Sequence, residues 1–219
     1  SIIEIFGFPF RHYLENLCRK RDQTYTCFDY FGHGISSGDF IDGTIGQWLS
    51  DVLAIIDEVT KGPLILVGSS MGGWLMTLAA LARPERMRGL IGIAVAPDFT
   101  EELIWAPLTD AQKSVFKEQG LIQKPVCSEE LDYSIAYALV EEGRKHLLLS
   151  KPILLSCPVH LIHGTADEAV PWTFSKRLAE KLQSPDVTVT LIKNGDHRLN
   201  IPLVQGRIKS LIHEISQSS

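Results

Sequence analysis

The 219-residue chain carries 45% hydrophobic and 21% charged side chains and a formal net charge of −5. That balance fits a globular chain with one sizeable core, and no basic run is long enough to follow a nucleic-acid backbone. No apolar stretch reaches bilayer-spanning length, and no signal-peptide pattern opens the chain.

The first strand is expected at residues 2–6, in the apolar opening SIIEIF. An amphipathic segment through Tyr13, Leu14, Leu17 and Cys18 follows, and it ends in Arg19-Lys20-Arg21. Cations there complement a helix C-terminus, so the basic triplet reads as a cap, not as a binding patch. Residues 25–28 form the second expected strand, closed by the glycine-rich loop Asp29-Tyr30-Phe31-Gly32-His33-Gly34. Trp48, Val52, Ile55, Ile56 and Val59 recur at three-to-four spacing and predict a helix over 46–59. A third strand is expected at 64–67, then a helix through Trp74, Leu75, Leu78, Ala79 and Ala82, then a strand at 90–95. From 97 to 157 no strand pattern is visible, only helical fragments at 101–105, 111–118 and 134–149. The alternation then resumes, with strands at 159–162 and 187–192 and helices at 172–182 and 203–215.

Short apolar runs without polar alternation suit strands buried on both faces, which requires helices on both sides of a mostly parallel sheet. The expected fold class is therefore α/β, as a single domain over residues 1–219 with a cap or lid inserted at about 97–157. The four cysteines, Cys18, Cys27, Cys127 and Cys157, form no CxxC pair. They favour reduced thiols and a reducing, cytoplasmic compartment.

The chemistry concentrates in LILVGSSMGGWLM, residues 64–76. A nucleophile at the end of a buried strand must turn sharply into a helix, and bulky neighbours two residues either side would collide; hence the G-x-S-x-G spacing. Gly68-Ser69-Ser70-Met71-Gly72 satisfies it, whereas a frame centred on Ser69 would need glycines at Val67 and Met71. Ser70 is the candidate nucleophile. The helix that follows would aim its dipole at the reaction centre, with the Met71 backbone N–H as one oxyanion donor.

A serine needs a base oriented by a third group. Of the seven histidines, His12, His146, His160 and His213 fall within expected helices or strands, and His33 lies in the glycine-rich loop. His197, in the polar loop Asn194-Gly195-Asp196-His197 after the last strand, is the candidate base. Asp167, in His163-Gly164-Thr165-Ala166-Asp167 after the strand at 159–162, is the candidate acid. Asp98 is the alternative acid, and Asp196 would point away from the imidazole it adjoins. His160 and His163 with Asp167 could also be read as metal ligands, but residues three apart on a strand and its loop face different ways.

Asp29-x-x-Gly32-x-Gly34-x-Ser36, the elbow, His163-Gly164-x-x-Asp167-x-x-Val170-Pro171 and Gly195-Asp196-His197-Arg198 together resemble the α/β-hydrolases over essentially the full length. The extended elbow VGSSMGGW, RPER after its helix and DHR at the base are similar to a narrower subgroup. That subgroup contains a mitochondrial palmitoyl-protein thioesterase that also cleaves acyl glucuronides, and bacterial relatives. The resemblance implies a cofactor-independent serine hydrolase acting on esters or thioesters through an acyl-enzyme. Its substrate would be a small molecule or an acylated protein, and Asp29 and His33 would be scaffold residues. It also implies that Gly7-Phe8-Pro9-Phe10 occupies the first oxyanion loop, with the Phe8 N–H as second donor. Two strands usually precede the one at 2–6 in this family, and the loop is short by roughly ten residues. The expectation is that native residues are missing from the sequence at both places. Phe99, Leu103, Ile104, Trp105 and Leu108, with Trp74, are candidates for an apolar acyl pocket, against the alternative that they bury the cap on the body. The competing function is a non-catalytic or slow-turnover α/β-hydrolase that binds a small molecule.

Overall fold

A computed structural model of the chain describes residues 1–5, 10–124 and 133–217. In chain order the elements are β1 (Ile2–Ile5), α1 (Arg11–Lys20), β2 (Tyr25–Cys27), α2 (Ile45–Ala54), β3 (Leu64–Ser69), α3 (Met71–Ala82) and β4 (Met87–Ile93). Then come α4 (Asp110–Gln119), β5 (Leu121–Lys124), β6 (Tyr133–Ala136), α5 (Tyr137–Gly143), β7 (Val159–Gly164), α6 (Thr173–Lys181), β8 (Val187–Ile192) and α7 (Pro202–Gln217). Single π-helical stretches extend α2 over Ile55–Val59 and form Thr100–Trp105. No helix among the described residues is long and apolar enough to cross a membrane.

The chain divides into two compact units. The first comprises Ser1–Phe28, Val52–Pro97 and Leu148–Ser219. It holds a six-stranded sheet in the order β2-β1-β3-β4-β7-β8, with every pairing parallel. β1, β3 and β7 are buried along their whole length, which explains their unbroken apolar runs. β8 lies at the sheet edge and is half-exposed, with Val189 and Leu191 turned to solvent and Ile192 buried. On one side of the sheet, Val204, Ile208, Leu211, Ile212 and Ile215 of α7 pack with Leu14, Leu17 and Cys18 of α1 and with Ile65, Val67, Ile91 and Ile93. Parallel register brings the carboxyl ends of β3, β4, β7 and β8 to one edge, where Ser69 pairs with Ile93 and Gly164 with Ile192.

The second unit comprises Asp29–Asp51 and Asp98–Leu147. In its first segment the His33 ring meets Tyr30, Phe40 and Trp48 edge-on at 5.4, 5.3 and 5.2 Å. The Trp48 indole N–H donates to the Phe31 carbonyl at 3.0 Å. Glu142 ties the two segments together by accepting the Gly46 N–H at 3.0 Å near the start of α2, while its other oxygen lies 2.6 Å from His146 Nε2.

The expectation of no strand between 97 and 157 is corrected here, because β5 and β6 form an antiparallel pair. The helix expected at 134–149 is likewise shorter, since residues up to Ala136 belong to β6 and α5 ends at Gly143. Four-residue strands offer too few repeats for a period-two pattern to stand out in sequence. The helices expected at 101–105 and 111–118 fall within Thr100–Trp105 and α4.

Candidate active site

Ser70 stands between β3 and α3 with φ +52° and ψ −121°, a backbone conformation that L-residues rarely adopt. Three hydrogen bonds hold it there. Its N–H donates to the Ile93 carbonyl at 2.9 Å, and its carbonyl accepts the N–H groups of Gly73 and Ala96, each at 3.0 Å. Two glycines of this turn have no room for a side chain. A Cβ on Gly68 would lie 2.5 Å from the Gly72 carbonyl oxygen, and one on Gly73 would lie 2.3 Å from Val95 Cγ1. Neighbouring Ser69 is the last residue of β3 and is buried in the sheet.

The polar loops after β7 and β8 converge on this turn. His197 Nε2 lies 3.1 Å from Ser70 Oγ, and His197 Nδ1 lies 2.7 Å from Asp167 Oδ2. The imidazole is about one-third exposed (32%), whereas the Asp167 side chain is completely buried. Asp167 Oδ1 accepts the N–H groups of Ala169 and Val170 at 2.9 and 2.8 Å. Oδ2 is shared between His197 and His163 Nε2, the latter at 3.1 Å. Burial by itself pushes this carboxyl up. The bonds from His163, His197 and Val170, with the His197 charge, outweigh it and hold the group well below the usual carboxylate range.

Ser70, His197 and Asp167 are thus brought into one hydrogen-bonded line. Asp196, next to the imidazole in sequence, instead accepts the Leu199 N–H at 2.8 Å. Asp98, the alternative acid, belongs to the second unit. His160 Nδ1 meets Thr188 Oγ1 at 2.8 Å, away from the His163–Asp167 contact. Among the described residues no group of three or more His, Cys, Asp or Glu could hold a metal ion. Met71 opens α3, where the first N–H groups have no partner within the helix. Unpartnered N–H groups of this kind can stabilise a negative charge that develops beside them.

A family model described as "Alpha/beta hydrolase family" matches residues 6–205. The chain belongs to the α/β-hydrolase family. This hydrolase is 42% identical over 207 residues to the mitochondrial palmitoyl-protein thioesterase ABHD10 of Mus musculus, covering 93% of this chain and 70% of that protein. The solved structure of mouse alpha/beta hydrolase domain-containing protein 10 superimposes with a TM-score of 0.91 at 38% identity, covering 98% of this chain and 88% of that one. A putative hydrolase from Agrobacterium vitis S4 gives the same TM-score, 0.91, at 34% identity over 98% of this chain and 87% of its own.

The other expected site residues of the hydrolase fall as follows. Gly7 and Phe8, expected in the first oxyanion loop, lie outside the described residues. Trp74 is completely buried within α3. Ile104 is buried and Phe99 half-buried, both in the second unit. Trp105 packs in that unit against Phe116 and Tyr137, with Lys113, Lys117 and Arg144 at 5.4, 5.3 and 4.9 Å from its ring. Arg144 also bonds Glu101 at 2.7 Å. Sequence reasoning weighed His163 only as a metal ligand and gave Ser175 no role, whereas His163 bonds Asp167 from behind and Ser175 bonds His163. The only signal was His163 in the same short loop motif as the acid.

Proposed function

We propose that the protein is a serine hydrolase that cleaves carboxylic esters and thioesters, with Ser70 as nucleophile, His197 as base and Asp167 as the group that orients it. The observation that carries this reading is the unbroken line from Ser70 Oγ through His197 to the buried Asp167 carboxylate. Asp167 fixes the tautomer by accepting from Nδ1, which leaves the Nε2 lone pair facing the serine hydroxyl.

In the acylation step Ser70 Oγ attacks the carbonyl carbon as its proton passes to His197 Nε2. The tetrahedral oxyanion is stabilised by the Met71 N–H. The proton then moves from Nε2 to the departing alkoxide or thiolate, leaving an acyl-Ser70 ester. Water attacks that ester as it gives a proton to the same nitrogen, and Ser70 leaves with the proton returned. The route uses side-chain and backbone groups alone, with no metal or organic cofactor.

The thioester side of the proposal draws on the 42% identical relative, which is named a palmitoyl-protein thioesterase. Trp105, ringed by cations, is assigned to packing of the second unit. Turnover of a palmitoyl thioester and a p-nitrophenyl ester series, wild type beside variants, tests the reading. Ser70→Ala and His197→Ala should each lower kcat by about 10⁶-fold, and Asp167→Asn by about 10⁴-fold. Turnover retained in Ser70→Ala would sink it.

A further inference from the structure

The Asp167 carboxylate serves two imidazoles, and only one of them reaches Ser70. The other, His163 at the end of β7, is completely buried, as is Ser175 of α6 beside it. His163 Nε2 lies 3.1 Å from Asp167 Oδ2 and 3.0 Å from the Val170 carbonyl oxygen. Both are acceptors, so Nε2 must carry a hydrogen. In the neutral ring Nδ1 is then an acceptor, and it takes the Ser175 hydroxyl hydrogen at 2.7 Å. Every polar atom of the ring is satisfied in this one tautomer. Moving its proton to Nδ1 would set the Nε2 lone pair against two oxygens.

We infer that His163 is a positioning residue: locked by Ser175 as the Nε2–H tautomer, it holds Asp167 in place and limits how strongly Asp167 draws the proton of His197. The inference rests on the reading of Ser70, Asp167 and His197 as the reacting set. Its logic is one of shared charge. Asp167 Oδ2 divides its electron density between two N–H donors, so each donor receives less than it would alone. Removing the His163 donor concentrates that density on His197 and stabilises its protonated form. The titratable groups facing the carboxylate are His163 from β7 and His197 from the loop before α7. The loop after Asp167 contributes the N–H groups of Ala169 and Val170, and the neutral Ser175 hydroxyl of α6 meets His163, not the carboxylate.

The test is NMR titration of the His197 imidazole in the full chain, beside the acid limb of kcat/KM, for wild type, His163→Leu, His163→Gln and Ser175→Ala. Gln at this position can return an N–H donor close to where Nε2 stood. The His197 midpoint should rise in His163→Leu, rise less in Ser175→Ala, and return toward the wild-type value in His163→Gln. In His163→Leu kcat/KM should fall roughly ten- to a hundredfold, the scale set by partners that orient metal-ligating groups from behind. The acid limb should move to higher pH with the midpoint. A midpoint equal to wild type in His163→Leu would overturn the inference. Should that variant fail to fold, an unmoved midpoint in Ser175→Ala would do so instead. Because the NMR midpoint needs no turnover, the outcomes separate. An inactive wild type whose midpoint still moves would refute the hydrolase reading and support the arrangement around Asp167.

Discussion

At Ser70 a positive φ is held by backbone hydrogen bonds to Ile93, Gly73 and Ala96. Strain of this kind typically costs about 1–3 kcal/mol and persists only where the surroundings enforce it. Gly68 is part of that enforcement, because an added Cβ would strike the first turn of α3 at 2.5 Å. Gly68→Ala should therefore destabilise the protein by about 1–3 kcal/mol and displace Ser70 from His197. Urea unfolding and ester hydrolysis measured together check this, and wild-type values in both would contradict it. The G-x-S-x-G frame was legible in sequence because a steric exclusion two residues either side of a turn leaves a fixed spacing. The Ser175–His163 pair left no such mark. Ser175 sits among the ordinary positions of an amphipathic helix, and its hydroxyl acquires meaning only through a ring twelve residues away in sequence.

In the first unit β1, β3 and β7 were legible as unbroken apolar runs, and α1 and α7 as apolar stripes. β3 and β7 extend two residues beyond the expected 64–67 and 159–162, since their last residues are small or polar and carry no hydrophobic signal. In the second unit local chemistry matters more. α4 begins with a capping box, in which the Thr109 hydroxyl accepts the Gln112 N–H at 3.3 Å and Gln112 Oε1 accepts the Thr109 N–H at 2.9 Å. It ends at Gly120, whose φ of +73° suits a glycine. Thr109→Ala should lower stability by about 1 kcal/mol. Thermal unfolding of the two proteins checks it, and an unchanged midpoint would show that the cap contributes nothing. The β5–β6 pair escaped the sequence reading because neither strand is long enough to declare a period, and their pairing is decided in space.

Across the whole molecule, two buried carboxyl groups pull stability in opposite directions with pH. Asp167 is held well below the usual range, so its contribution is complete above about pH 3.9 and is lost as pH falls below that value. Glu4 is buried in β1, where burial raises it from 4.5 to about 7 against a hydrogen bond from the Tyr25 hydroxyl and the charge of Arg11. Its other oxygen, Oε1, is buried with no hydrogen-bond partner among the described residues. A carboxyl raised on folding costs stability as pH climbs from the unfolded value toward the folded one. Unfolding free energy should therefore rise through the acid range and then decline as pH approaches about 7. Glu4→Gln should remove the decline, leaving a variant more stable than wild type at pH 8 by about 1–3 kcal/mol. Denaturant titrations across pH check this, and parallel curves for the two proteins would contradict it.

The proposed hydrolysis requires Ser70 to be an activated nucleophile. The direct measurement is labelling with a fluorophosphonate probe, with the modified peptide read by mass spectrometry, in wild type, Ser69→Ala and Ser70→Ala. The expected result is one adduct on Ser70 in wild type and Ser69→Ala, and none in Ser70→Ala. Labelling that persists in Ser70→Ala, or a folded wild type that takes no label, would contradict it, and the latter would favour a protein that binds its ligand without turning it over.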